Sequence, residues 1–214
     1  MEDAYGNLIS SLAIENDKRI VLLVMDGLGD CDNAAKGTAL QQARKPTLNA
    51  LARRSGLGLH VPVAMGVTPG SGPGHLGLFG YDPLVYQVGR GVLGALGLEF
   101  PLTPRDVAAR LNFCTLDAQG NVIDRRAGRI SDQENRRVLA KVRSKLQPPP
   151  GVEVIFETEA EHRALLVLRG DALDENVGET DPQATGVPPL SPTRPPHDAS
   201  RTARIVEDVV AQVR

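Results

Sequence analysis

From Ile20 to Met25 the chain runs through six apolar residues without a break, with Lys18-Arg19 before them and Asp26-Gly27-Leu28-Gly29-Asp30 after. Such a run, bounded by charge and then by glycine, predicts a strand buried on both faces in a parallel sheet. A short helix is expected within residues 2–15. Beyond the strand the pattern predicts a helix over about 39–54, a short strand over 56–63 closed by Pro62, a helix starting near Gly74-His75 and another over about 84–96. The glycines at 89, 91 and 94 each weaken that last helix by roughly 1 kcal/mol relative to alanine, which points to close packing or a ligand as their reason.

The pattern changes at Phe100-Pro101-Leu102-Thr103-Pro104. Val107 to Leu116 alternates imperfectly and predicts a strand. Asp117 to Gly120 reads as a turn and Asn121 to Asp124 as the return strand of a hairpin. Ser131 with Glu134 three residues later forms a capping-box signature that opens a helix running to about Leu146, which Pro148-Pro149-Pro150-Gly151 ends. Two more strands are expected over 152–157 and 162–168. Residues 183–198, rich in Pro, Thr and Ser, read as a linker. Ala199 to Arg214 reads as a helix with Ile205, Val206, Val209, Val210 and Val213 on one face.

The fold class expected is α/β, with the hairpin, helix and two strands forming an inserted α+β module. The organisation expected is residues 1–100 as the first part of a catalytic domain, 101–182 as the insert, 183–198 as linker and 199–214 as a helix returning to the catalytic domain. A length of 214 residues allows one large domain or two small ones.

Composition narrows the function classes. A net charge of −2 gives no electrostatic footprint for nucleic acid or an anionic membrane. No apolar stretch is long enough to span a bilayer, and residues 1–17, with Glu2, Asp3, Glu15 and Asp17, do not read as a secretory signal. Cys31 and Cys114 are far apart and in no metal spacing, which fits reduced thiols in a cytoplasmic protein.

The chemistry-bearing stretch is Thr68 to Asp82, where Ser71 sits among glycines and prolines with His75 four positions on. Gly and Pro set a tight turn, and glycine lets a ligand approach the backbone. A hydroxyl presented there, at the mouth of a helix, faces backbone N–H groups that favour an anion. Ser71 therefore reads as a nucleophile that accepts a phosphoryl group, although a Gly/Pro/Ser cluster alone is usually only a loop. The segment lacks the Gly-Lys-Ser/Thr of a phosphate-binding loop and the first glycine of a G-x-S-x-G elbow. Asp26, just past the carboxyl end of the expected strand, is placed as a ligand for a divalent cation, or else as an Asx-turn residue.

A second cluster is basic. Arg125, Arg126 and Arg129 fall within the loop that follows Asp124, and Arg163 and Arg169 lie on the last two expected strands. Arginine suits bidentate capture of carboxylate or phosphate. Arg126, Arg129, Arg163 and Arg169 together with Asp124 are taken as an anion pocket. Arg125 is expected to face water and Arg90 to be structural. His75 is equally suited to a phosphoryl contact and to a backbone hydrogen bond.

Taken in order, Val24 to Asp30, Lys45-Pro46-Thr47-Leu48, Thr68 to Pro83, Tyr86 to Gly91, Asp124 to Ile130, His162-Arg163, Val167 to Gly170 and Thr180-Asp181-Pro182 resemble the cofactor-independent (2,3-bisphosphoglycerate-independent) phosphoglycerate mutases of archaeal type, in the alkaline phosphatase superfamily. The resemblance runs from about residue 18 to the end. It implies an alkaline-phosphatase-like three-layer sandwich, incomplete here, with an inserted cap. It implies interconversion of 2- and 3-phosphoglycerate through a phosphoserine at Ser71. It also implies two divalent metal ions (Mn2+, Mg2+, Co2+ or Zn2+), with Asp26 and Ser71 sharing one of them. The expected partner is a small phosphoglycerate, with no nucleic acid and no membrane, and a homo-oligomer is compatible with it. Because family members continue past this point, the chain reads as an N-terminal part. Two alternatives stay open: another metal-dependent phosphotransferase or phosphatase of the superfamily, and an inactive anion-binding fragment.

Overall fold

The computed structural model describes residues 4–25, 27–31 and 36–214. The chain divides into two compact units, Met1–Tyr86 and Gln87–Arg214.

The first unit carries α1 (Ala4–Leu12), α2 (Ala39–Gln42), α3 (Pro46–Ala52) and α4 (Ser71–Leu78). The single helix expected over 39–54 is two. Pro46, at the first position of α3, has no N–H to continue a helix and disfavours helical backbone in Lys45 before it. Thr38 caps α2 in a closed capping box with Gln41, and Lys45 Nζ donates to the carbonyl oxygens at its other end. The strands expected over 20–25 and 56–63 do not form among the described residues, and Ile20 and Val21 are 95% and 91% exposed. A strand exists only through hydrogen bonds to a neighbour, and no described segment pairs with Ile20 to Met25. Gly77 holds α4 against Pro62, since a Cβ there would stand 2.2 Å from the Pro62 carbonyl oxygen.

The second unit begins with α5 (Arg90–Gly97), six residues later than the helix expected from Leu84. Next come β1 (Asp106–Asn112), β2 (Thr115–Leu116), β3 (Val122–Asp124), α6 (Asp132–Lys145), β4 (Val152–Ala160), β5 (Arg163–Gly170) and α7 (Arg201–Val213). The strands β1, β5 and β4 form an antiparallel sheet in that order, and β2 pairs with β3 as the expected hairpin. Asp117 closes the hairpin turn by accepting from the amides of Gln119 and Asn121 at 2.9 and 2.8 Å. Half of the expected capping box on α6 is made. Ser131 accepts from the Glu134 amide, but the Glu134 carboxylate turns to Arg137 instead of to the backbone of Ser131.

The central strand β5 is buried on both sides. Ala164, Leu166 and Leu168 pack with Phe156, Leu139 of α6 and Ile205, Val206 and Val209 of α7. Leu165 and Val167 pack on the other face with Ala95 of α5 and, around it, Leu98, Phe100 and Ala108. Burying each such side chain contributes roughly 1.5–3 kcal/mol. Helix α7 therefore belongs to this unit's own core. Residues 183–198, expected as a linker, are tied to the same unit: Val122 donates its amide to Val187, Gly186 donates back to Val122, and Pro192 is buried. A Pro/Thr/Ser-rich composition forbids regular structure without forbidding contacts. The observed class is mixed α/β with antiparallel sheets.

Candidate functional site

Ser71 is the first residue of α4, capped by Gly70 in extended conformation with no side-chain hydrogen bond to the helix. The helix starts three residues earlier than expected. Its hydroxyl is thus exposed on the first turn, where unpaired backbone N–H groups point outward. His75 Nδ1 donates to the Ser71 carbonyl oxygen at 2.6 Å, so its ring braces the turn by the backbone and not through the hydroxyl. Asp26 lies outside the described residues. Among the described residues no group of three or more His, Cys, Asp or Glu side chains is arranged to hold a metal, and of the proposed metal ligands only Ser71 is described.

In the second unit the loop after β3 is built around Asp124. Its carboxylate accepts from the amides of Arg126 at 2.8 Å and Gly128 at 2.7 Å, and these bonds hold its pKa below the ordinary carboxylate value. Ala127, Gly128 and Arg129 all have positive φ, at 46°, 66° and 56°. Two of the three are not glycine, so each stores about 1–3 kcal/mol of strain that Asp124 holds in place. The result is a tight bend that leaves Arg126 exposed, its side chain making no hydrogen bond or ion pair among the described residues. Arg129 pairs with Glu161 at 3.1 Å.

The turn between β4 and β5 stands beside this loop. Asn135 of α6, fully buried, donates from one amide nitrogen to the carbonyl oxygens of Glu161 and Arg163 at 2.7 Å each and accepts from Thr158 Oγ1 at 3.1 Å. Asp132 accepts from the Glu161 amide at 2.7 Å. The start of α6 therefore fixes where Arg163 begins. Between Glu161 and Arg163, His162 is 3% exposed. Burial, then the charge of Arg163, push its pKa below the ordinary histidine value, and its Nδ1 makes no hydrogen bond.

Two arginines stand elsewhere than expected. Arg125, expected only to face water, is partly buried and makes two hydrogen bonds to Asp181, at 2.8 and 2.6 Å, which lower the carboxylate's pKa. Arg169 is committed in the same way to Asp106, at 2.7 and 2.8 Å, and also donates to Pro101 and lies 6.0 Å from the Phe100 ring centre. The Asp106 side chain is inaccessible to solvent, and the Arg169 bond lowers its pKa to about 2. This pair fastens β1 to β5. Asp124, Arg126, Arg129 and Arg163 are thus gathered near one end of the sheet, and Arg169 is occupied elsewhere. Sequence reasoning missed Arg110 on β1. Within an alternating strand a charged residue reads as solvent-facing, and only the helix lying over that face makes Arg110 half-buried.

Comparison with known proteins follows the same line. The profile of the 2,3-bisphosphoglycerate-independent phosphoglycerate mutase family matches residues 52–214. A protein of Thermus thermophilus named a probable 2,3-bisphosphoglycerate-independent phosphoglycerate mutase is 48% identical over 208 residues, covering 97% of this chain and 51% of that one. One of the same name from Aquifex aeolicus is 42% identical over 211 residues, covering 95% and 52%. Among solved structures, the cofactor-independent phosphoglycerate mutase from Thermoplasma acidophilum matches with a TM-score of 0.51 and 37% identity, over 65% of this chain and 37% of that one. The chain thus spans about half the length of the curated relatives it matches. With the profile covering most of the sequence, the chain belongs to the 2,3-bisphosphoglycerate-independent phosphoglycerate mutase family.

Proposed function

We propose that the protein interconverts 2-phosphoglycerate and 3-phosphoglycerate through a phosphoserine at Ser71, as a cytoplasmic enzyme of glycolysis and gluconeogenesis with an alkaline-phosphatase-like sandwich as its catalytic scaffold. The observation that carries this reading is the exposed Ser71 hydroxyl on the open first turn of α4, in a chain of this family. In the first step Ser71 Oγ attacks phosphorus. The bond from phosphorus to the substrate oxygen breaks, the serine proton is lost, and the freed glycerate oxygen takes up a proton. In the second step the other glycerate hydroxyl attacks the phosphoserine, the bond from phosphorus to Oγ breaks, and the serine is restored. The two steps balance without any further reactant.

His75 holds the carbonyl side of the nucleophile's turn. Arg126, Arg129 and Arg163, with the loop shaped by Asp124, supply guanidinium groups for carboxylate and phosphoryl oxygens. Asp26 and Ser71 are our assignment for one site of two divalent ions (Mn2+, Mg2+, Co2+ or Zn2+), which when bound would lower the pKa of the serine hydroxyl. The test is incubation of the protein with 3-phosphoglycerate and a divalent metal. The expected result is a phosphoryl group on Ser71 by mass spectrometry and 2-phosphoglycerate as product, both lost in Ser71→Ala. A protein that forms neither would end the proposal.

A further inference from the structure

Among the buried titratable groups, His162 has no part in the reaction proposed above. It is 3% exposed, and its Nδ1 is buried without a hydrogen-bond partner among the described residues. Its carbonyl oxygen accepts from the Phe113 amide at 2.7 Å, so the backbone that carries the ring is fixed. Glu161 Oε2 stands 3.7 Å from that nitrogen, just beyond hydrogen-bond reach. The same oxygen accepts from Arg129 Nη1 at 3.1 Å. The Glu161 backbone follows neither neighbour. Its amide is held by Asp132 and its carbonyl oxygen by Asn135, at 2.7 Å each, in a left-handed conformation with φ 49°. Only its side chain, 47% exposed, is free to rotate between the two.

The proton on His162 decides which neighbour holds the carboxylate. With the ring neutral, Arg129 is the only full positive charge bonded to it. With the ring charged there are two, and they are not equally screened. The Arg129 side chain is 52% exposed, so water and salt weaken its pair, whereas the imidazole is 4% exposed. A charged Nδ1–H would also gain the partner that the neutral ring lacks. Arg163 on the same strand and Arg126 and Arg129 on the loop after β3 oppose charging of the ring, while Glu161 and Asp124 favour it. Release of Arg129 draws one opposing charge away as the ring acquires its own. We propose that protonation of His162 hands the Glu161 carboxylate from Arg129 to the imidazole, which makes the β4–β5 turn a proton-operated latch on Arg129. The exchange stands on these contacts, and only its use, freeing Arg129 for an anion, rests on the arginine assignment made above.

NMR of the whole chain between about pH 5 and 8 tests the latch, with the histidine rings and the arginine Nε–H groups followed together. His162, identified by its loss in His162→Gln, is expected to titrate below the ordinary histidine value of about 6.5. The Arg129 Nε–H signal is expected to move with the same midpoint, while that of Arg137, paired with Glu134 on α6, stays still. Both His162→Gln and Glu161→Gln are expected to abolish the Arg129 movement. Glu161→Gln, a change at a half-exposed side chain that leaves the core untouched, is also expected to lower the His162 midpoint, because it removes a carboxylate that favours the charged ring. An Arg129 signal that stays flat through the His162 midpoint, a movement that survives either substitution, or a His162 midpoint indifferent to Glu161→Gln would each overturn the latch. Phosphoserine formation at Ser71 is read separately. A protein that forms it while the Arg129 signal stays flat keeps the reaction and loses the latch, and the converse pattern does the opposite.

Discussion

The two units use similar amounts of apolar sequence and do opposite things with it. Among the described residues every buried apolar side chain lies between Ala95 and Val209, in the second unit. The first unit holds most of the exposed large ones, among them the whole run from Ile20 to Met25. The closest counterpart of that run is Leu165 to Leu168, equally apolar, equally uninterrupted, and at most 1% exposed. What differs is company. β5 has β1 and β4 on its edges and helices on both faces, whereas among the described residues no strand is hydrogen-bonded beside Ile20 to Met25. An apolar run sets a capacity for burial, and only neighbouring strands turn it into structure.

Amide exchange gives the largest contrast. Amides of Leu165 to Leu168 are expected to exchange at least about a thousandfold more slowly, relative to their intrinsic rates, than those of Ile20 to Met25, because core amides open only with much of the fold. Equal protection would erase the contrast. Substitution gives the next: Leu168→Ala should destabilise the second unit by about 2–5 kcal/mol in urea unfolding. Val21→Ala, on a 91% exposed side chain, should stay within about 0.5 kcal/mol. Asn135→Ala should cost the second unit about 1–3 kcal/mol, since it strands two carbonyl oxygens and a hydroxyl.

The smallest effect is a pH dependence. Asp106 has its pKa lowered from 3.8 to about 2 in the folded state. Its contribution is therefore complete above pH 4 and is lost as pH falls from about 4 through 2. About 1–2 kcal/mol of the second unit's stability should disappear across that window and should be absent from Asp106→Asn, by acid titration of the unfolding transition.

The second unit was the more legible one for the same reason it is the more buried. Its hairpin turn, the Ser131 cap of α6 and the amphipathic face of α7 are local signals, and each was satisfied by contacts within the unit. The parallel strand expected at Ile20 to Met25 depended on partners that no local signal supplies. At the candidate site, glycines and clustered charge are what single out Ser71 and the Arg126–Arg129 loop in the sequence. It did not foresee the partners of Arg125 and Arg169, because their acids, Asp181 and Asp106, lie 56 and 63 residues away. It passed over Arg110 because alternation says which way a side chain points and not what covers it.

The buried amide of Asn135 welds the opening turn of α6 to the bend that launches Arg163, across 28 residues of sequence. Anyone transplanting the arginine-bearing bend into another scaffold would have to carry that helix with it. Variation at residue 135 should likewise shift the bend from which Arg163 starts.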